Sequence, residues 1–280
     1  PYYLYIPSVL LKSQEMPDKN YMLVLPNNTG KIDDNLQTHE EDVKKKMQNN
    51  AQLAELLKIP ILKPVFPRFE KHWKIYTHAL DRDTLITDEK SLARLDLQLI
   101  AMIRDATEKL AQKNIHIDKK VILAGFSASG MFVNRFALLH PDYVLAAAIG
   151  SPGGWPMLPV ETWKDKSLRY PIGTADFSKI SGNKFDLSTF KSLPLFFYLG
   201  DQDTNDSVVF EDGYEKEDKE LVFATFGKTP VERWSIAEKI YQQAGCSRAK
   251  FTLYKGVGHT ISPEMRKDLL EFLTNVLKIK

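Results

Sequence analysis

The sequence is short of cysteine. Cys246 is the only one in 280 residues, which excludes an intrachain disulfide and any metal site built on paired thiolates. It has little excess charge: 38 Lys and Arg stand against 36 Asp and Glu, a formal net charge of +2. The broad basic field with which proteins hold nucleic acid is therefore missing, and Lys44-Lys45-Lys46 reads as the solvated face of a helix. No apolar run approaches the ~18 residues that a membrane span needs. There is no Gly/Ser linker, internal repeat or break in composition. With 43% hydrophobic and 26% charged residues, one globular domain over 1–280 is the expectation, and a chain of this length buries a core without staples. No export signal is visible. The first residue is Pro1 rather than methionine, and the sequence leaves compartment and oligomeric state open.

What the sequence does contain is an alternation of short apolar runs and helical patterns. Tyr2–Ile6, Tyr21–Leu25, Ile59–Phe66, Val121–Ala124, Val144–Ile149, Leu195–Leu199 and Phe251–Tyr254 read as strands. Residues 40–57, Ser91–Leu110, a segment from Met131 to Leu139, 231–244 and a last helix capped by Ser262 carry the helical period. Residues 11–20, with Pro17, Asp18 and Asn20, read as a turn. The stretch 67–88 is long, irregular and aromatic, and is read as a binding wall that includes Trp73 and Tyr76. Residues 151–190 read as irregular and 206–228 as acidic and unpatterned. Both are expected to be cap or rim insertions. Strands apolar on both faces, alternating with helices, predict an α/β fold: a mostly parallel central sheet with helices on both faces. In such a sheet ligands gather beyond the carboxyl ends of the strands.

Three segments that follow strands carry chemistry. Gly125-Phe126-Ser127-Ala128-Ser129-Gly130 comes directly after Val121-Ile122-Leu123-Ala124 and opens a helix. A serine at the tip of a strand–turn–helix elbow is lifted clear of the sheet. It also stands near the free N–H groups that begin the helix, where an oxyanion can be received. A serine hydroxyl needs a base, and the base needs an orienting partner. His259 lies in the glycine-flanked turn Gly256-Val257-Gly258-His259 after a strand, whereas His39, His116 and His140 read as ordinary surface or core histidines. The loop Gly200–Asp206 offers Asp201, Asp203 and Asp206. These could be a solvated turn, a cation site or the source of a catalytic acid, although the central glycine and terminal glutamate of a calcium loop are absent. Nucleophile, acid and base in the order Ser127, Asp203, His259 match one class of serine hydrolase and differ from the chymotrypsin and subtilisin orders.

On these residues the chain resembles the α/β-hydrolase superfamily over nearly its whole length, and within it serine esterases of the polyhydroxybutyrate-depolymerase and feruloyl-esterase type. Tyr2-Tyr3-Leu4-Tyr5-Ile6-Pro7-Ser8 is similar to their opening strand, Gly125–Gly130 to their elbow, Gly200-Asp201-Gln202-Asp203 to their acid loop and Gly258-His259 to their histidine turn. The resemblance implies a three-layer α/β-hydrolase fold, with Ser127 as nucleophile, His259 as base and acid, and Asp203 as orienting carboxylate, Asp206 being the reserve. It implies an oxyanion hole of backbone N–H groups from Ala128 and from the 26–28 loop, Asn28 ahead of Asn27. It implies an acyl-enzyme, a small-molecule or polymeric ester as substrate, and neither cofactor nor metal. Two departures stand out: Ser129 replaces the last glycine of Gly-x-Ser-x-Gly, and Pro26-Asn27-Asn28 replaces the usual His-Gly.

Other signals are discounted. Gly227-Lys228-Thr229 lacks the first glycine of a phosphate-binding loop. Asn27-Asn28-Thr29 and Asn205-Asp206-Ser207 match the glycosylation pattern at places where a glycan would obstruct the site. Trp155, in a glycine-rich loop after a central strand, is read as a substrate wall. A serine peptidase on the same fold and an inactive hydrolase-fold binding module are the rival readings.

Overall fold

The computed structural model describes residues 1–12, 20–28 and 30–278. The predicted turn over 11–20 falls largely on residues 13–19, outside the described residues. Among the described residues nine strands are formed: β1 (Tyr2–Tyr5), β2 (Leu23–Val24), β3 (Ile61–Pro64), β4 (Val121–Phe126), β5 (Val144–Gly150), β6 (Thr162–Trp163), β7 (Lys166–Ser167), β8 (Leu195–Gly200) and β9 (Ala249–Tyr254). The helices are α1 (Ser8–Lys12), α2 (Leu36–Leu57), α3 (Arg82–Ile86), α4 (Leu95–Ala111), α5 (Ala128–Leu139), α6 (Phe177–Ser181), α7 (Leu187–Phe190), α8 (Lys216–Phe226), α9 (Pro230–Gln243) and α10 (Pro263–Leu277). Among the described residues no helix is long and apolar enough to cross a membrane.

Seven strands form one sheet in the order β1-β3-β2-β4-β5-β8-β9, with β6 and β7 paired apart. β1 runs antiparallel to β3, and every other neighbouring pair in the large sheet is parallel. The alternation of side chains divides the core in two. Val121 and Leu123 of β4, with Leu195 and Phe197 of β8, face the side holding α4, α5 and α9. Ile122, Ala124, Phe196 and Tyr198 face α2 and α10. This is the three-layer arrangement that both-faces-apolar strands require. α5 is buried along its whole length, because the 151–190 segment covers the side turned away from the sheet. Trp155, Leu158, Tyr170 and Ile172 from that segment join the same core.

The chain passes from β2 outward to β3 and then returns across β2 to β4. The crossover direction therefore reverses between β2 and β4, and the loops leaving their carboxyl ends part to leave a crevice. The 26–28 loop and the Ser127 elbow flank that crevice. α8 corrects the unpatterned reading of 206–228. Its fully buried apolar residues are few, Val222 and Phe226 on one side, with Leu221 and Phe223 half-buried against the same core, and the helix is held by tertiary partners. Arg169 Nε donates to Asp218 Oδ1 at 2.7 Å, and Phe226 packs on Trp155 at 4.4 Å between ring centroids.

Candidate active site

The elbow is a strained turn with identifiable braces. Ser127 has φ 61° and ψ −128°, a conformation that β-carbon sterics disfavour by about 1–3 kcal/mol. Its N–H donates to the Gly150 carbonyl at 2.9 Å, and its carbonyl accepts from Met131 N–H at 3.0 Å, so the turn is fixed on both sides. Ser129 explains its own departure from the glycine pattern. Its hydroxyl donates to the Phe126 carbonyl at 2.8 Å and accepts from Phe126 N–H at 2.9 Å. The close approach of helix to sheet falls to Gly130, where a Cβ would lie 2.4 Å from the Gly150 oxygen.

Across the crevice, Asn27 continues the β2–β3 ladder with its side chain after the backbone has turned away. Its Nδ2 donates to the Phe66 carbonyl and its Oδ1 accepts from Phe66 N–H, both at 3.0 Å. Asn28 is thereby presented at the elbow, where its Nδ2 donates to the Phe126 carbonyl at 3.3 Å. Lys46 on α2 donates to the Asn28 carbonyl. Ala128 begins α5, so its N–H belongs to the turn whose amides have no intrahelical acceptor.

The three aspartates of the β8 loop have three different partners. Asp201 Oδ1 accepts from Gly256 N–H at 2.6 Å, bracing the turn before His259. Asp203 accepts from His259 Nδ1 through both oxygens, at 3.1 and 2.9 Å. Asp206 is buried in an ion pair with Arg233 of α9, and caps the turn at Val208 N–H, 3.0 Å away. The meeting of Asp203 and His259 rests on Gly200, whose missing Cβ would lie 2.0 Å from the Val257 oxygen. The two loops run so close that Gln202 N–H donates to the Val257 carbonyl at 2.9 Å. Burial pushes the Asp203 carboxyl upward, but the His259 hydrogen bond and the Asn205 N–H at 2.9 Å outweigh it and hold the group below the usual carboxylate range. The buried Ser151 hydroxyl stands beside it without reaching hydrogen-bond geometry.

His259 is 30% exposed in its side chain, and its ring lies 4.9 Å from that of Phe126, the residue before Ser127. Because Asp203 carboxylate oxygens can only accept, the ring proton belongs on Nδ1 and Nε2 carries the lone pair. Asn205 Nδ2 sits 3.3 Å from that Nε2. The sequence reading missed Asn205 as a contact of the histidine. Its position two residues past Asp203 was the available signal.

The aromatic expectations divide. Trp155 is a correction: it is 1% exposed, its indole N–H donates to the Ile172 carbonyl at 3.4 Å, and it anchors the core, where no substrate reaches it. Trp73 is 45% exposed on the segment after β3. Tyr76 is half-buried, lies under Arg68 at 4.1 Å, and joins the wall to the 206–213 loop through the Arg68–Asp212 ion pair. His140 is paired with Asp96 at 2.8 Å, a buried carboxylate that also holds Arg94. Burial opposes the charge of Asp96, yet these partners lower it to about 2. That pair sits past the far end of α5 from Ser127, about 18 Å of helix away, and ties α4 to α5. Thr229 heads a capping box with Glu232, which accounts for Gly227-Lys228-Thr229.

No protein-family model matches the chain, and no curated protein matches it in sequence. Solved structures do match in shape. Poly(aspartic acid) hydrolase-1 from Sphingomonas sp. KT-1 has a TM-score of 0.61 at 17% identity, covering 97% of this chain and 92% of its own. A poly(3-hydroxybutyrate) depolymerase from Bordetella parapertussis has 0.55 at 18% identity, covering 92% of this chain and 79% of its own. A ferulic acid esterase has 0.51 at 15% identity, covering 98% and 92%. Likeness at such identities speaks for architecture alone, and together with the sheet order it identifies this chain as having the α/β-hydrolase fold.

Proposed function

We propose that the protein is a cofactor-free serine hydrolase that cleaves carboxylic esters. The observation that carries the reading is the Asp203–His259 pair, 2.9 Å apart, beside a serine held at positive φ on the neighbouring elbow. Ser127 Oγ attacks the ester carbonyl while its proton passes to His259 Nε2. Asp203 holds the ring in the Nδ1–H tautomer and stabilises the imidazolium. The N–H groups of Ala128 and Asn28 receive the tetrahedral oxyanion, each such donor being worth ~3 kcal/mol in the transition state. His259 returns the proton to the leaving alcohol, then activates the water that releases the acid. Trp73 and Tyr76 line the approach. Residues 151–190 and 206–228 form a small cap that selects substrate, joined to each other through Arg169 and Asp218.

A second reading, amide hydrolysis by the same residues, is favoured by one observation: the structural neighbour with the TM-score of 0.61 carries the name of a hydrolase of poly(aspartic acid), an amide-linked polymer. One experiment tests both. A fluorophosphonate probe is expected to label the wild type and not Ser127→Ala, and nitrophenyl esters of graded chain length are expected to be turned over faster than matched anilides. An unlabelled wild type points to a binding module. Faster anilide than ester turnover transfers the assignment to amide hydrolysis.

A further inference from the structure

The base nitrogen of His259 already has a partner, and it is not Ser127. Asp203 accepts a hydrogen bond from Nδ1–H at 2.9 Å, so the contact of 3.3 Å between Asn205 Nδ2 and Nε2 is an amide N–H donating to the imidazole lone pair. The Ser127 hydroxyl does not cap its own helix, and among the described residues no hydrogen bond joins it to His259. Asn205 is fixed at its other end as well: its backbone N–H donates to Asp203 Oδ1 at 2.9 Å. The residue thus touches both members of the acid–base pair, the carboxylate with its main chain and the imidazole with its side chain.

The geometry points to Asn205 as a resting-state cap on His259, a side chain that occupies Nε2 in the unloaded site and is displaced when Ser127 engages a substrate. This rests on the serine-hydrolase reading. A lone pair cannot accept the serine proton while it accepts from an amide, so the two hydrogen bonds compete for one site. Phe126 covers the ring from the elbow side at 4.9 Å, and Asp203 is the charged group facing it. Asn205, half-buried on the loop, is the group free to swing away. It is a positioning residue that acts through His259.

The test separates the side chain from the main chain. Asn205→Ala keeps the backbone N–H to Asp203 and removes the cap. Because a net hydrogen bond shifts a population by a factor of several, the variant should be labelled at Ser127 by a fluorophosphonate about fivefold faster than wild type. kcat/KM for a short nitrophenyl ester should rise by a similar factor. Asn205→Asp is isosteric but presents only acceptors when ionised. It favours the protonated ring and should be labelled more slowly than wild type. In parallel, the ¹⁵N resonance of His259 Nε2, assigned by its loss in His259→Gln, should move in Asn205→Ala. Labelling of Asn205→Ala at or below the wild-type rate, or an unmoved Nε2 resonance, overturns the cap while leaving the hydrolase reading intact. If the wild type is not labelled at all, the hydrolase reading fails, and the resonance still decides whether Asn205 holds Nε2.

Discussion

His78 links the crevice to the stability of the whole fold. It is fully buried, with Nε2 2.9 Å from the Phe66 carbonyl, the same carbonyl that Asn27 engages. A carbonyl only accepts, so Nε2 donates to Phe66, the Asn27 Nδ2 that also lies 3.1 Å from it keeps its own hydrogen for the same carbonyl, and Nδ1 is the bare nitrogen, buried with no partner among the described residues. Protonating the ring would place a second N–H where none of the described residues accepts it. Burial accordingly lowers the group from 6.5 to about 3, with Arg68, His39 and Lys46 adding to the effect against the Phe66 hydrogen bond. Between these values the unfolded chain binds a proton that the folded one refuses, so stability is present above pH 6.5 and is lost as pH falls. By pH 4 that loss is about 3 kcal/mol, 2.5 pH units at 1.36 kcal/mol each. Asp81 works in the opposite sense. Burial raises it to about 7, so its contribution is lost as pH rises, and the wild-type profile alone is therefore ambiguous. His78→Gln keeps a donor for Phe66 and cannot titrate, while Asp81 is common to both proteins. Urea unfolding followed by tryptophan fluorescence at pH 7 and pH 4 should show the wild type losing about 3 kcal/mol more than the variant between the two conditions. Equal losses in both proteins would refute the assignment of a neutral, Nε2-protonated His78.

The aspartate loop and the helix–sheet approach offer two further checks. Asp203→Asn should lower ester turnover by up to ~10⁴ with the fold retained, as loss of an orienting carboxylate does elsewhere. Asp206→Asn should instead reduce unfolding stability by about 3–5 kcal/mol, since it strands the buried Arg233, and the opposite pattern in paired kinetic and denaturation measurements would move the acid to Asp206. Gly130→Ala places a Cβ against the Gly150 carbonyl, so α5 must lift from β5. A stability loss of about 1–3 kcal/mol together with slower probe labelling is expected, and an unchanged labelling rate would show that the elbow tolerates the shift.

The sheet and its main helices were legible because their signals are local. β4, β5 and β8 are short apolar runs that hardly fit anything but a strand buried on both faces, and α10 announces itself with Ser262 as cap, Pro263 in the first turn and Met265 N–H donating to Ser262 Oγ at 3.2 Å. The elbow was legible for the same reason: glycine, serine and the following helix are contiguous. α8 was not, since its two buried apolar residues leave too weak a period, and it is Asp218 and Phe226, through partners in the 151–190 segment, that hold it.

The sequence by itself therefore determined the layers, the order of serine elbow, aspartate loop and histidine turn, and the arrival of all three at one edge of the sheet. Only the tertiary structure decided among chemically identical candidates. Asp201, Asp203 and Asp206 differ in nothing but where the chain carries them, and the close passage at Gly200 sends the second to His259 while Arg233 claims the third. Trp155 could equally have been wall or core until the 151–190 segment folded over α5 and buried it. Asn205 carried no motif, and its contact with Nε2 exists because two loops distant in sequence, 54 residues apart, meet in space. Local pattern records what a segment is in itself. Which side chain it touches is set by close approaches between segments, and those depend on the absence of a few β-carbons as much as on any residue that chemistry would single out.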